Sequence, residues 1–136
     1  MESDIWAGLQ AGRIAIAINF VGGIVSIWIA ARFASVAIEK GANLAAKVVI
    51  TIFGLCVVLT NYWFMQMPSW DWYWTSSNLE RLRESGVELS ATASYLLERF
   101  PPEEPTWFEN PVGLLLCLTA LIVIVGTLWF PSKKDE

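Results

Sequence analysis

Three long apolar runs, separated by charged or polar segments, dominate the chain, and the last run is the clearest. Residues 112–130 read VGLLLCLTALIVIVGTLWF, nineteen residues without a charge. At about 1.5 Å per residue, a helix of this length crosses the ~30 Å hydrocarbon core of a bilayer. Asn110 and Pro111 suit the start of such a helix, and Pro131 suits its end. The run therefore predicts a transmembrane helix.

The first run, predicted to span the membrane over about residues 14–34, has small and weakly polar residues on one face. Spacings of three and four place them on a narrow sector of the helix: Ala15, Asn19, Gly22, Gly23, Ser26 and Ala30. Such a face lets a second helix approach closely, so it predicts a helix-packing interface. We expect Asn19 to form an interhelical hydrogen bond, because an amide inside a membrane needs a partner. A pore-lining role for Asn19 is the alternative.

The second run, residues 48–67, is aliphatic in its first half and aromatic in its second, and aromatic residues continue past Pro68. Amphipathic rings prefer the depth of the lipid headgroups, so we interpret the tryptophans near the predicted span ends as interfacial anchors. These are Trp6, Trp63, Trp70, Trp72, Trp74, Trp107 and Trp129. A platform for a carbohydrate, lipid or pigment is the alternative interpretation of the cluster at 62–74.

The hairpin between the second and third runs, residues 68–110, contains a long amphipathic pattern. Apolar or small residues recur at alternating spacings of three and four from 79 to 100, with charged residues opposite. The pattern predicts a helix over about 77–100, ~36 Å long. The apolar stripe formed by these residues must pack against the membrane surface, the protein's own helices or a partner. Because its polar face is acidic on balance, we favour protein contact, through Leu79, Leu82, Leu89, Leu96 and Phe100.

Charge asymmetry predicts the orientation. Basic residues concentrate between the first two runs and after the third, which places both regions in the cytoplasm: Arg32, Lys40, Lys47, Lys133 and Lys134. The hairpin carries eight acids against three arginines, and the first residues are also acidic. We therefore predict a multi-pass protein with its N-terminus outside and its C-terminus cytoplasmic. The acidic start lacks the basic region of a cleaved signal peptide, so we expect the first run to remain in the mature protein.

Composition narrows the chemistry. The 136 residues are 55% hydrophobic, with a mean hydropathy of +0.50 and a net charge of −4, which indicates a single membrane domain and no nucleic-acid partner. The chain has no histidine, which excludes histidine-ligated haem, His-based metal sites and histidine general bases. Cys56 and Cys117 lie in apolar runs without CxxC spacing, so we interpret them as small buried residues. We expect no cofactor, no bound metal and no enzymatic activity, since catalytic motifs are absent.

These observations predict an all-α integral membrane protein, residues 1–136, with three transmembrane helices and one extracytoplasmic amphipathic helix. The leading hypothesis is a non-enzymatic subunit that packs into a larger membrane assembly. Its partners would be lipids and other transmembrane helices, from different subunits or from copies of itself. The second hypothesis is a self-assembling pore, either holin-like or a small channel. The third is an accessory chain that binds a lipid or a pigment.

Overall fold

Four helices make up the computed structural model, which describes residues 1–130. They are α1 (Glu2–Glu39), α2 (Leu44–Glu84), α3 (Ala91–Arg99) and α4 (Pro111–Trp129), and residues 1–130 contain no strand. The all-helical prediction is thus confirmed. The predicted cytoplasmic lysines Lys133 and Lys134 lie outside the described residues.

Three of the helices are long and apolar enough to cross a membrane: α1, α2 and α4. Their most apolar 18-residue windows have mean hydropathies of 2.2, 2.0 and 2.5 respectively. The 38-residue α1 and the 41-residue α2 are about twice the length that a ~30 Å hydrocarbon core needs. Each therefore continues well beyond its predicted span, and Pro68 does not end α2.

Several helix ends carry residues that commonly cap helices. Gly41 has a φ of +67° and ends α1, with Ala42 N–H donating to the Ala37 carbonyl at 2.8 Å. Only glycine adopts this conformation without strain, and the bond satisfies a carbonyl of the last turn. The Asn43 side chain accepts from Ala46 N–H at 2.9 Å at the start of α2. Asn110 caps α4 in the same way.

The predicted single helix over 77–100 is wrong. α2 continues to Glu84, Gly86 takes a φ of +82°, and α3 begins only at Ala91. The N–H of Val87 donates to the Leu82 carbonyl at 3.4 Å, so the glycine closes α2 with the geometry that Gly41 gives to α1. The Ser90 side chain then caps α3. The prediction failed because the apolar spacing continues regularly across Gly86, although the helix ends there.

The chain divides into two compact units. The first unit consists of Met1–Ile18 and Gln66–Glu109, and the second consists of Asn19–Met65 and residues 110–130. Helices α1 and α2 both contribute to each unit.

The second unit is an antiparallel arrangement of α1, α2 and α4. Its buried core combines two alanines of α1 with residues of α2 and α4: Ala30, Ala34, Val57, Val58, Cys117, Ala120, Ile124 and Leu128. Two polar contacts fix opposite ends of the α2–α4 pair. Asn110 Nδ2 donates to the Met65 carbonyl at 3.2 Å, and Trp129 Nε1 donates to Thr51 Oγ1 at 3.1 Å.

The first unit packs the first turns of α1 and the last turns of α2 around α3. Its core is the cluster of Leu79, Ala93, Leu96 and Leu97, with Ile5, Trp6, Trp72 and Leu89 packed against it. The Trp72 and Phe100 rings stack with centroids 4.8 Å apart, and the Arg13 guanidinium lies 4.7 Å from the Trp72 centroid. The unit is therefore held by side chains from all three segments.

Candidate functional site

A close contact between α1 and α2 in the second unit is built around Asn61 of α2. Its Nδ2 donates to Ser26 Oγ of α1 at 3.1 Å and to the Val57 carbonyl of its own helix at 2.8 Å. A Cβ added at Gly23 would overlap Asn61 Oδ1. Gly23 therefore provides the space in which the amide sits, and Ser26 provides its acceptor. The contact joins α1 to α2 through a hydrogen bond whose donor residue, Asn61, is only 6% exposed.

The structure divides the predicted packing face of α1. Gly23 and Ala30 are buried and Ser26 is half-buried, all against the protein's own helices. Ala15 and Gly22 are exposed, and a Cβ added at Gly22 would meet no described atom within 4 Å. Part of the face thus packs within the second unit, and Gly22 is left open on its surface.

An interhelical amide bond of the second unit is made by Asn61. Asn19 is half-buried, and none of the hydrogen bonds described among residues 1–130 involves its side chain. Asn61 stands at the start of the aromatic half of the second run, and its amide was not predicted to form a hydrogen bond. The available signal was that an amide within an apolar run needs a partner, the argument that had been applied to Asn19 alone.

The predicted contact stripe of the hairpin is largely covered by the chain itself. Leu79, Leu82 and Leu96 are buried, at 0%, 6% and 8% exposure, and Leu89 packs against the same cluster. Phe100 remains 38% exposed and stacks on Trp72. Of the three possible coverings for this stripe, the structure uses the protein's own helices. The first turns of α1 contribute Ile5 and Trp6 to that covering.

A polar clasp joins the start of α1 to the start of α3. Glu2 accepts from Ser90 Oγ at 2.6 Å, from Ser90 N–H at 3.1 Å and from Trp6 Nε1 at 3.0 Å. Ser90 Oγ in turn accepts from Ala93 N–H at 3.2 Å as the cap of α3. The hydrogen bonds from Ser90 and Trp6 lower the pKa of Glu2 below its usual value, because they favour the ionised carboxylate.

The proposed interfacial tryptophans fall into two groups. Trp63, Trp74, Trp107 and Trp129 are between 39% and 56% exposed. Trp6, Trp70 and Trp72 are half-buried, and each has a specific neighbour within the first unit: Glu2, Tyr73 and Phe100 respectively. The second group therefore has a packing role in addition to any interfacial one.

Cysteine and acidic side chains form no metal-ligand cluster in the described part of the chain. No group of three or more histidine, cysteine, aspartate or glutamate residues is close enough there to hold a metal ion. Cys56 is exposed, Cys117 is buried, and both thiols are free. The expectation that both cysteines are buried is thus met only by Cys117.

Comparison with protein-family models, with curated proteins and with solved structures gives no match.

Proposed function

We propose that this chain is a non-enzymatic integral membrane subunit that packs into a larger membrane assembly. The observation that carries the proposal is Gly22, a small residue left open on an apolar helix face whose neighbouring small residues already pack within the chain. Open glycines on membrane helices let another helix approach closely enough to gain dispersion contacts. Large apolar residues flank Gly22 on the same surface, with Ile18 67%, Val21 62% and Val25 48% exposed.

The proposal predicts which particle is recovered when the protein is extracted from its membrane in mild detergent. The native particle should be larger than the 15.2 kDa chain and contain other proteins, or copies of this chain, at a fixed ratio. Native mass spectrometry of the purified particle measures both. A chain that runs alone, without companions, contradicts the proposal.

Gly22→Leu should release the chain from that assembly while leaving its own fold intact. A leucine at Gly22 meets no described atom of the chain, but it would hold a second helix away from α1. We expect the co-purified fraction to fall by about tenfold, as a loss of ~1.4 kcal/mol of packing gives. Cys56→Leu is the matched control, because Cys56 is also small and exposed but lies on α2. An unchanged particle with Gly22→Leu excludes this face as the interface.

The orientation proposed from the charges is N-terminus outside and C-terminus cytoplasmic, with the hairpin outside. Lys40 and Ser85 occupy equivalent positions, each directly before the left-handed glycine that ends its helix. In intact cells, a membrane-impermeant maleimide should label Ser85→Cys strongly and Lys40→Cys only after the membrane is permeabilised. The parent chain, with Cys56 and Cys117, gives the background. The reverse labelling pattern would invert the topology.

The pore hypothesis relied on Asn19 and Ser26 as a polar stripe lining a lumen. Ser26 Oγ instead accepts a hydrogen bond from Asn61 within the second unit. This contact removes one of the two polar groups on which the pore hypothesis rested, so the subunit remains the function that we propose.

A further inference from the structure

A cleft of about 390 Å³ opens in the first unit between the start of α1 and the last turns of α2. Its volume falls within the ~300–1,000 Å³ range of small-molecule sites. It is lined by Asp4, Ile5, Gly8 and Leu9 of α1 and by Asp71, Trp74, Thr75 and Asn78 of α2. The lining therefore includes two carboxylates, a hydroxyl, an amide and an indole, and no basic side chain.

Asp71 is the central polar group of this cleft. Its Oδ2 is buried and has no hydrogen-bond partner among the described residues, and a Cβ added at Gly12 would lie 2.5 Å from it. Removal from water raises the pKa of Asp71, while the positive charge of Arg13 opposes that shift. Arg13 itself lies over the Trp72 ring and does not line the cleft. Burying a carboxylate oxygen costs folding free energy unless a hydrogen-bond donor is supplied to it.

Thr75 contributes a second polar group to the cleft. The residue is only 5% exposed and yet lines the cleft, and no hydrogen bond described within residues 1–130 involves its hydroxyl. Asn78, one turn further along α2, adds an exposed amide on the same side. These groups can accept hydrogen bonds beside Asp71, whereas Asp4 at the rim is already paired with the N-terminal ammonium at 3.0 Å.

We propose that this cleft binds a primary ammonium group, with Asp71 as the counter-ion and Thr75 and Asn78 as hydrogen-bond acceptors. An ammonium has three donors and a full charge, so it can satisfy a carboxylate, a hydroxyl and an amide oxygen together. The exposed Trp74 ring adds a face that attracts cations. The acidic lining disfavours anions, and a divalent metal would require more carboxylates than the described cleft offers.

The position of the cleft allows two sources of that group. Asp71 lies four residues beyond the end of the second predicted span, about 6 Å along the helix, which is the depth of lipid headgroups. The ammonium can therefore belong to an ethanolamine lipid of the outer leaflet or to a free primary amine. Both present the same chemistry to Asp71, and the experiment separates them.

The first arm of the test uses free ethanolamine and the full-length protein in phosphatidylcholine nanodiscs, titrated by calorimetry. We expect saturable binding that weakens by about tenfold or more in Asp71→Asn, because hydrogen bonds to a charged group are the strong ones. Tetramethylammonium, which has no N–H donor, should bind more weakly than ethanolamine by a similar factor. The second arm uses nanodiscs with phosphatidylethanolamine and counts lipid retained by native mass spectrometry.

The outcomes of the two arms are distinct. Retention of phosphatidylethanolamine that Asp71→Asn abolishes assigns the site to the lipid, whereas ethanolamine binding without such retention assigns it to a free amine. Failure of the wild-type protein to bind either probe overturns the proposal, as does equal binding by Asp71→Asn.

Two further variants test whether a loss of ethanolamine binding is specific to the cleft. Gly8→Leu should block the cleft sterically, since a side chain at Gly8 meets no described atom and enters the open space. Glu84→Gln removes an exposed carboxylate of α2 outside the cleft and should bind ethanolamine like the wild-type protein. Equal loss of binding in Glu84→Gln would show a general charge effect and overturn the assignment to Asp71.

Discussion

Gly23→Ala should destabilise the second unit by about 1–3 kcal/mol, the usual effect of adding a methyl group to a filled space. The added Cβ overlaps Asn61 Oδ1, so the amide must turn away and lose its bonds to Ser26 and to the Val57 carbonyl. Alanine gains up to about 1 kcal/mol of helix propensity over glycine, which offsets only part of this loss. Unfolding by sodium dodecyl sulfate in mixed micelles, followed by tryptophan fluorescence, measures the difference.

Gly22→Ala is the matched control, because the two glycines are neighbours on one helix with opposite surroundings. A Cβ at Gly22 meets no described atom within 4 Å, so stability should stay the same or rise by up to about 1 kcal/mol. A second control is Gly23→Ala combined with Asn61→Ala, which removes the overlapping oxygen. The double variant should lose less than the sum of the two single losses. Equal stability of Gly22→Ala and Gly23→Ala would contradict the contact.

Local signals in the sequence predicted three long helices and some of the helix ends. Apolar runs without charge located three long helices, and Gly41, Asn43 and Asn110 end or begin helices for the reasons that their side chains suggest. These features depend on residues within one turn of each other, so the sequence alone is sufficient. Pro68 was the exception among them, since α2 continues through it. A proline weakens a helix but does not fix where tertiary packing lets it end.

Tertiary partners were harder to predict. The small residues of α1 predicted close packing with a second helix, but periodicity does not tell whether that helix belongs to the same chain or to another. Whether Gly22 or Gly23 faces α2 depends on the rotation of α1 about its own axis. In the structure, Gly23 faces Asn61, which lies 38 residues further along the chain. The stripe from Leu79 to Phe100 kept its spacing across Gly86, so the break in the helix was invisible to a periodicity argument.

The break in the helix at Gly86 reduces the apolar surface that the protein exposes. A continuous helix over 77–100 would have kept its apolar residues on one face along its whole length, where they could not cover one another. The turn at residues 85–90 instead folds α3 back, so that Ala93, Leu96 and Leu97 cover Leu79. Burial within the first unit replaces the partner that the stripe was expected to need, and the surface proposed for assembly moves to α1 at Gly22.

Leu79→Ala should destabilise the first unit by about 2–5 kcal/mol, the range found for leucine truncation in packed cores. Leu79 is fully buried in the cluster with Ala93, Leu96 and Leu97. The nine-residue α3 is too short to be stable by itself, so its order depends on this cluster. We therefore expect faster amide hydrogen exchange throughout α3 and faster proteolysis between residues 85 and 110.

Leu44→Ala is the control for the same truncation at an exposed site, since Leu44 is 67% exposed in the first turn of α2. It should leave α3 exchange unchanged. Because the second unit has its own core, its Asn61 contact should also survive Leu79→Ala, and exchange in α4 should stay slow. If Leu79→Ala left α3 protected but released a partner protein, the stripe would serve a neighbour, as the spacing alone had suggested, and the internal packing of the first unit would be refuted.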